Sequence, residues 1–253
     1  MVLVLRSRLV LGLVAGLLAV GLIAAAGDAL AARPQAPVLW RVDTAAPEVA
    51  LTFDDGPNPT YTPQVLATLT ANGAVGTFFV LGTQVQRYPA LVRDEAATGS
   101  EVCPHGWQHV TLRGRSAAFV RTTVTRTADS LSALGVAPCH LFRFPYFASD
   151  AASRRAVSDL GYRIVAADVD TQDWQRPGAG TMAQQVLAHL RAGDIILFHD
   201  GGGNRSQTVR ALQMVLAGLA AKGLKPVTVS TLLASAQRAP AAGGGPGPSS
   251  AAG

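Results

Sequence analysis

The sequence predicts an α/β fold whose parallel strands close into a barrel, and three observations carry that reading. Short apolar runs alternate with longer amphipathic segments from about residue 47 to 237. The runs lack in-out alternation, the pattern of strands covered on both faces. Polar or ionisable residues then follow run after run: Asp54 and Asp55, His105 and His109, Arg143, Asp170 and Asp173, His199 and Asp200. Strand ends that all carry chemistry suit the ring-shaped pit of a barrel better than the single crevice of an open sheet.

Taken in order, the expected strands are 49–53 (VALTF), 75–81 (VGTFFVL), 100–103 (SEVC), 140–144 (HLFRF), 162–167 (YRIVAA), 194–198 (DIILF) and 225–229 (KPVTV). Helices are expected at 62–72, 84–98, 116–134, 149–160, 181–192, 206–222 and 230–237. This makes seven βα units, with no internal sequence repeat and no sign of a second domain.

The ends of the chain differ from its middle. Residues 9–26 are uncharged and follow Arg6 and Arg8, and Ala29 and Ala31 form a small-x-small site. Residues 1–31 therefore read as a signal peptide or N-terminal membrane anchor, and either reading places the domain outside the cytoplasm, secreted or membrane-anchored. Residues 32–46 are expected as a linker, 47–237 as the domain, and 238–253, rich in Gly, Pro and Ala, as a disordered tail. In an oxidising compartment Cys103 and Cys139 are a disulfide candidate, with two buried thiols as the alternative. A net charge of +5 favours encounter with anionic envelope polymers. Nothing in the sequence points to nucleic acid, and a monomer is expected.

Each chemical motif has a plain reading beside its functional one. His105 and His109, four apart, would share one side of a helical turn and make half a metal site, yet such pairs also occur as ordinary surface residues. Asp55 is the natural third ligand, leaving a position open for water, although "DDGPN" also reads as a turn. Arg143 could hold a carboxylate in its charged form or sit at a surface. Trp174 could wall a sugar site or fill core. His199 could be a buried structural group, or a general acid if a carboxylate such as Asp173 raised its pKa.

In their order and spacing, "TFDDGP" (52–57), "HGWQH" (105–109), "RFPY" (143–146), "DTQDW" (170–174) and "LFH" (197–199) resemble the five motifs of the polysaccharide deacetylases, the NodB homology group of carbohydrate esterases. The resemblance covers roughly residues 47–236 and implies a distorted (β/α)7 TIM-like barrel. It implies that Asp54 is the general base and that Asp55, His105 and His109 hold a divalent metal, usually zinc. Arg143 would hold Asp54, and the Tyr146 N–H would stabilise the oxyanion. Asp173 would charge His199 as general acid, while Trp174 and Leu197 would line the acetyl pocket. Gly106 stands where the family usually has Ser or Thr, and Phe144 and Phe147 also depart from its third motif.

The expected function is removal of N-acetyl groups from a GlcNAc-containing polysaccharide, peptidoglycan or a chitooligosaccharide. The rivals are an O-acetyl esterase acting on xylan, a non-catalytic wall-binding protein and a glycosidase on a similar barrel.

Overall fold

Parallel pairing throughout is what the unalternating apolar runs require, and every strand pair in the computed structural model, which describes residues 37–238, is parallel. The strands are β1 (Val38–Leu39), β2 (Glu48–Asp54), β3 (Thr77–Val80), β4 (Glu101–Pro104), β5 (Leu141–Phe142), β6 (Arg163–Val165), β7 (Val169–Asp170), β8 (Ile195–His199) and β9 (Lys225–Val227). One sheet runs β1-β6-β5 and the other β4-β3-β2-β8-β7, with β9 also paired to β2. One edge of β2 carries β8; the other carries β9 at its start and β3 at its end.

Side-chain direction along β2 explains how the layers form. Val49, Leu51 and Phe53 join one apolar cluster with Val65, Leu69, Leu212 and Val215 of the covering helices. Ala50 faces the opposite way, into a second cluster with Phe79, Leu141, Val165, Ile195 and Leu197. Alternate strand residues point to opposite faces, so the even positions Ala50, Thr52 and Asp54 form an inward column. Strand β8 repeats this, with Ile196 and Phe198 outward and Ile195 and Leu197 inward. With apolar layers on both faces, the two sheets form a distorted α/β barrel.

The helices outside are α1 (Thr62–Ala71), α2 (Gly82–Arg87), α3 (Pro89–Ala97), α4 (Ala117–Ala133), α5 (Ala151–Ser158), α6 (Ala179–His189), α7 (Ser206–Ala221) and α8 (Val229–Arg238). Several starts are local: Ser116 Oγ accepts from Phe119 N–H at the head of α4, and Asp150 with Ser153 forms a capping box on α5. The single helix expected over 84–98 is two helices. Pro89, which cannot donate an N–H inside a helix, begins α3 instead.

All seven expected strands are present, and β1 and β7 are additional. At two residues each they are too short to leave a periodic signal. Residues 37–46, expected as linker, are a correction: β1 pairs with β6, Val42 is buried, and its N–H donates to Gly193 O at 2.8 Å. Backbone pairing holds this segment where side-chain pattern gave no hint. The expected signal or anchor at 1–31 lies outside the described residues, as does the tail from 239 onward. Among the described residues no helix is long and apolar enough to cross a membrane.

The seam between the sheets is bridged covalently. Cys103 on β4 is bonded to Cys139, just before β5, and Cys139 N–H donates to Val102 O at 3.1 Å. The bond spans 36 residues, a loop whose closure stabilises a fold by about 4 kcal/mol. Replacing both cysteines with serine should lower the unfolding free energy by about that amount in guanidinium titrations.

Candidate active site and metal centre

Asp54 ends the inward column of β2, and the register places it beside Phe79 of β3 and His199 of β8. The next residue should face outward on a regular strand. Asp55 instead adopts φ 74°, a left-handed conformation uncommon outside glycine, and this turns its side chain into the same pit. Its N–H donates to Phe79 O at 3.2 Å, and Asp200 and Gly201 N–H both donate to Asp54 O. A side chain at Gly201 would place a Cβ 2.1 Å from Asp55 O, so only glycine permits this approach.

His105 and His109 meet Asp55 from the far side of the pit. The helical turn expected there is absent: residues 105–109 form a loop in which Gly106 has φ 100°, outside helical geometry. Backbone bonds fix that loop, Gly82 N–H donating to Gly106 O and Thr83 N–H to Trp107 O, each at 3.0 Å. The rings still converge, with centroids 5.4 Å apart.

His105 Nδ1 lies 2.8 Å from Arg143 O. A carbonyl only accepts, so Nδ1 carries the proton and Nε2 presents its lone pair to the pit. Burial lowers the His105 pKa to about 3, so the ring is neutral, as a ligand must be.

Asp55 Oδ1 is buried without a hydrogen-bond partner. It lies 3.6 Å from His105 Nε2 and 3.4 Å from His109 Nε2. Two ligands each about 2.1 Å from a common ion at a tetrahedral angle stand about 3.4 Å apart. The three donor atoms lie within 4.8 Å of one another. This orphaned oxygen facing two imidazoles fits a divalent metal with an open position.

Arg143, fully buried, stands behind Asp54. Nη1 donates to Asp54 Oδ1 and Thr52 Oγ1, both at 2.8 Å, and Nη2 donates to Ala166 O at 2.7 Å. Its guanidinium carbon also lies 4.3 Å from the centroid of the Phe79 ring. Burial pulls its pKa down and Asp54 pulls it back up.

Opposite, His199 Nδ1 lies 2.7 Å from Asp173 Oδ1. His199 N–H and Thr208 Oγ1 donate to the second oxygen, Asp173 Oδ2. Burial disfavours a charged His199, yet the hydrogen bond and charge of Asp173, with Asp54 and Asp55 farther off, outweigh it and raise its pKa. The same histidine holds the Asp173 carboxyl below its ordinary range, against the effect of burial.

A cavity of about 550 Å³ opens over these groups, lined by Asp54, Asp55, His105, His109, Tyr146, Trp174, Leu197 and His199. Tyr146 and Trp174 are 68% and 57% exposed, large apolar surfaces at a mouth. Tyr146 and Phe147 have φ of 58° and 53°, and consecutive strained residues of this kind cluster at functional sites. Every residue proposed from the sequence for the site therefore lines this cavity or, like Arg143 and Asp173, sits directly behind it; the disulfide does not line it.

Four supporting residues carry no role that a motif in the sequence assigns. Thr52 was accessible from the two-residue period, being on the inward side with Asp54. Thr208 and Arg205 gave no signal, since they reach the site from the start of α7. Asp200 shows in the sequence only as one more polar residue after a strand; it is buried, accepts a hydrogen bond from Thr62 Oγ1, and burial and the nearby Asp55 and Asp54 push its carboxyl up to about 7.

A barrel that gathers a carboxylate, two imidazoles, a buttressed acid and an aspartate-paired histidine at its strand ends defines a hydrolytic centre. The polysaccharide deacetylase family model matches residues 41–165. The chain is 37% identical over 202 residues to a peptidoglycan-N-acetylglucosamine deacetylase of Bacillus cereus, covering 79% of this chain and 94% of that one. It is 36% identical over 196 residues to a chitooligosaccharide deacetylase of Sinorhizobium fredii, covering 72% and 90%. The crystal structure of a peptidoglycan N-acetylglucosamine deacetylase superposes with a TM-score of 0.75 at 30% identity, covering 78% of this chain and 92% of that one. The chain belongs to the polysaccharide deacetylase family.

Removing Arg143 should leave Asp54 as an uncompensated buried charge. Arg143→Met is expected to lose about 3 to 5 kcal/mol of stability in denaturant unfolding. The double variant Arg143→Met, Asp54→Ala should lose less than the two single losses combined.

Proposed function

We propose that this protein hydrolyses the N-acetyl group of GlcNAc units in an extracytoplasmic polysaccharide, peptidoglycan or a chitin-like polymer. One observation carries the reading: Asp55, His105 and His109 share an unsatisfied centre flanked by Asp54, held by Arg143, and by His199, paired with Asp173. The names of the relatives, peptidoglycan and chitooligosaccharide deacetylases, support the same chemistry. Export is supported by the basic and apolar pattern of residues 1–31 and by the Cys103–Cys139 bond.

Asp55, His105 and His109 would hold the metal, which we take as zinc because two of its three donors are imidazole nitrogens. When bound, it acidifies water and polarises the acetyl carbonyl. Asp54, held by Arg143 at 2.8 Å, accepts the proton of the attacking water. The Tyr146 backbone N–H donates to the oxyanion that develops on the acetyl carbonyl oxygen. His199 then gives its proton to the amine nitrogen as the carbon–nitrogen bond breaks, releasing acetate and a free amine. Trp174 and Leu197 exclude water around the acetyl methyl.

Acetate release from peptidoglycan fragments and chitooligosaccharides, with acetylated xylan as comparator, tests this reading. Chelation should abolish release and zinc should restore it. Metal analysis should find Asp55→Ala depleted and Asp54→Ala still loaded, with kcat in Asp54→Ala down by about 10²- to 10⁴-fold. Full activity after complete metal removal would sink the proposal, as would faster release from acetylxylan.

The pH profile supplies a separate check. His199 must be protonated to act, so kcat/KM should fall as pH rises through its raised pKa, above the ordinary value of about 6.5. Asp173→Asn removes the charge that opposes burial, so that alkaline limb should move to lower pH.

A further inference from the structure

Three consecutive glycines, Gly201 to Gly203, follow Asp200 just after β8. Glycine has more backbone freedom than any other residue, yet this run packs against the residue that turns the proposed metal centre inward. Asp200 and Gly201 N–H donate to Asp54 O at 3.2 and 3.3 Å. A Cβ at Gly202 would lie 2.6 Å from Asp55 Oδ2. With Gly201 already against the Asp55 carbonyl, the loop meets Asp55 on both its main-chain and its carboxylate side. A non-glycine residue at φ 74° persists only where its surroundings over-determine it. The glycines allow the close approach, but they supply no rigidity of their own.

Rigidity comes from Arg205. Its Nε donates to Gly201 O at 2.6 Å and its Nη2 to Gly202 O at 3.1 Å, so one guanidinium spans both carbonyls of the loop. The group is planar, its donors form a fixed fork, and its charge strengthens each bond. The side chain is 4% exposed. Its main chain is tied to helix α7, where Val209 N–H donates to Arg205 O at 3.0 Å, and α7 packs Leu212 and Val215 into the cluster beneath β2. The grip on the loop is therefore anchored in the barrel wall. Arg205 also lines the catalytic cavity, although no step of the proposed hydrolysis uses it.

We propose that Arg205 is a positioning residue for the metal centre: by gripping the Gly201 and Gly202 carbonyls it presses the glycine loop against Asp55 and keeps that carboxylate turned toward His105 and His109. Without the grip the loop relaxes and Asp55 returns toward extended backbone, in which the residue after Asp54 faces away from the pit. The centre then keeps two imidazoles and loses its anionic ligand. This inference rests on the reading of Asp55, His105 and His109 as metal ligands.

The test titrates zinc into apo-protein against a chromophoric chelator, with unfolding temperature and acetate release from a chitooligosaccharide recorded on the same samples. Arg205→Met keeps an apolar stem without donors. It should bind zinc about 10- to 100-fold more weakly than wild type while still folded at the assay temperature, and its acetate release should recover as zinc is raised to saturation. Arg205→Lys, a point charge without the fork, should regain only part of the lost affinity. Gly202→Ala disturbs the same contact with Arg205 in place; it should also weaken zinc binding, and it decides the question if Arg205→Met does not fold. Wild-type zinc affinity in Arg205→Met, or in Gly202→Ala where that variant decides, would overturn the inference. So would a raised KM that persists with the zinc site full, since that would make Arg205 a substrate contact. Wild-type protein that binds no zinc retires the metal centre and this inference together; zinc binding abolished by Asp55→Ala but untouched by Arg205→Met retires this inference alone.

Discussion

One buried guanidinium holds this structure together at its chemical centre. Arg143 leaves the end of β5 in one sheet, grips Thr52 and Asp54 on β2 of the other, and donates to Ala166 O beyond β6. A charge taken out of water must find its compensation on the spot, so these partners have to stay where they are. Its backbone carbonyl meanwhile sets the His105 tautomer. A single residue therefore joins the sheets, pairs with the proposed base and aims a proposed metal ligand.

Around it, strand geometry sets most of the layout. Parallel register puts Asp54 beside His199, and the two-residue period faces Asp54 inward with Thr52. Breaking that period is equally necessary. Because Asp55 turns to φ 74°, neighbouring carboxylates serve one pit instead of opposite faces of the sheet. The space for that turn exists because Gly201 passes against the Asp55 carbonyl.

The two kinds of histidine show how environment divides labour. His105 is buried against a carbonyl, with its pKa lowered to about 3, and serves as a neutral lone-pair donor. His199 is also buried, but Asp173 lies 2.7 Å from its Nδ1 and raises its pKa, which suits a proton donor. Thr208 holds the second oxygen of Asp173 and so fixes the orientation of that carboxylate. Identical side chains thus have their pKa values moved in opposite directions.

From the amino-acid string alone follow the α/β class, seven of the nine strands among the described residues, and the polar residues gathered at the strand ends. Hydrophobic pattern and motif order are local properties, and both survive in a linear string. It could not determine how the site is assembled. The His105–His109 pair converges through a glycine loop held by backbone bonds, where spacing alone suggested a helical turn. The strand β1 exists only because β6 offers it an edge, and its two residues carry no period. Thr208 and Arg205 reach their places from a segment distant in the chain. Those positions depend on packing between elements, and only the tertiary structure decides which distant side chains meet.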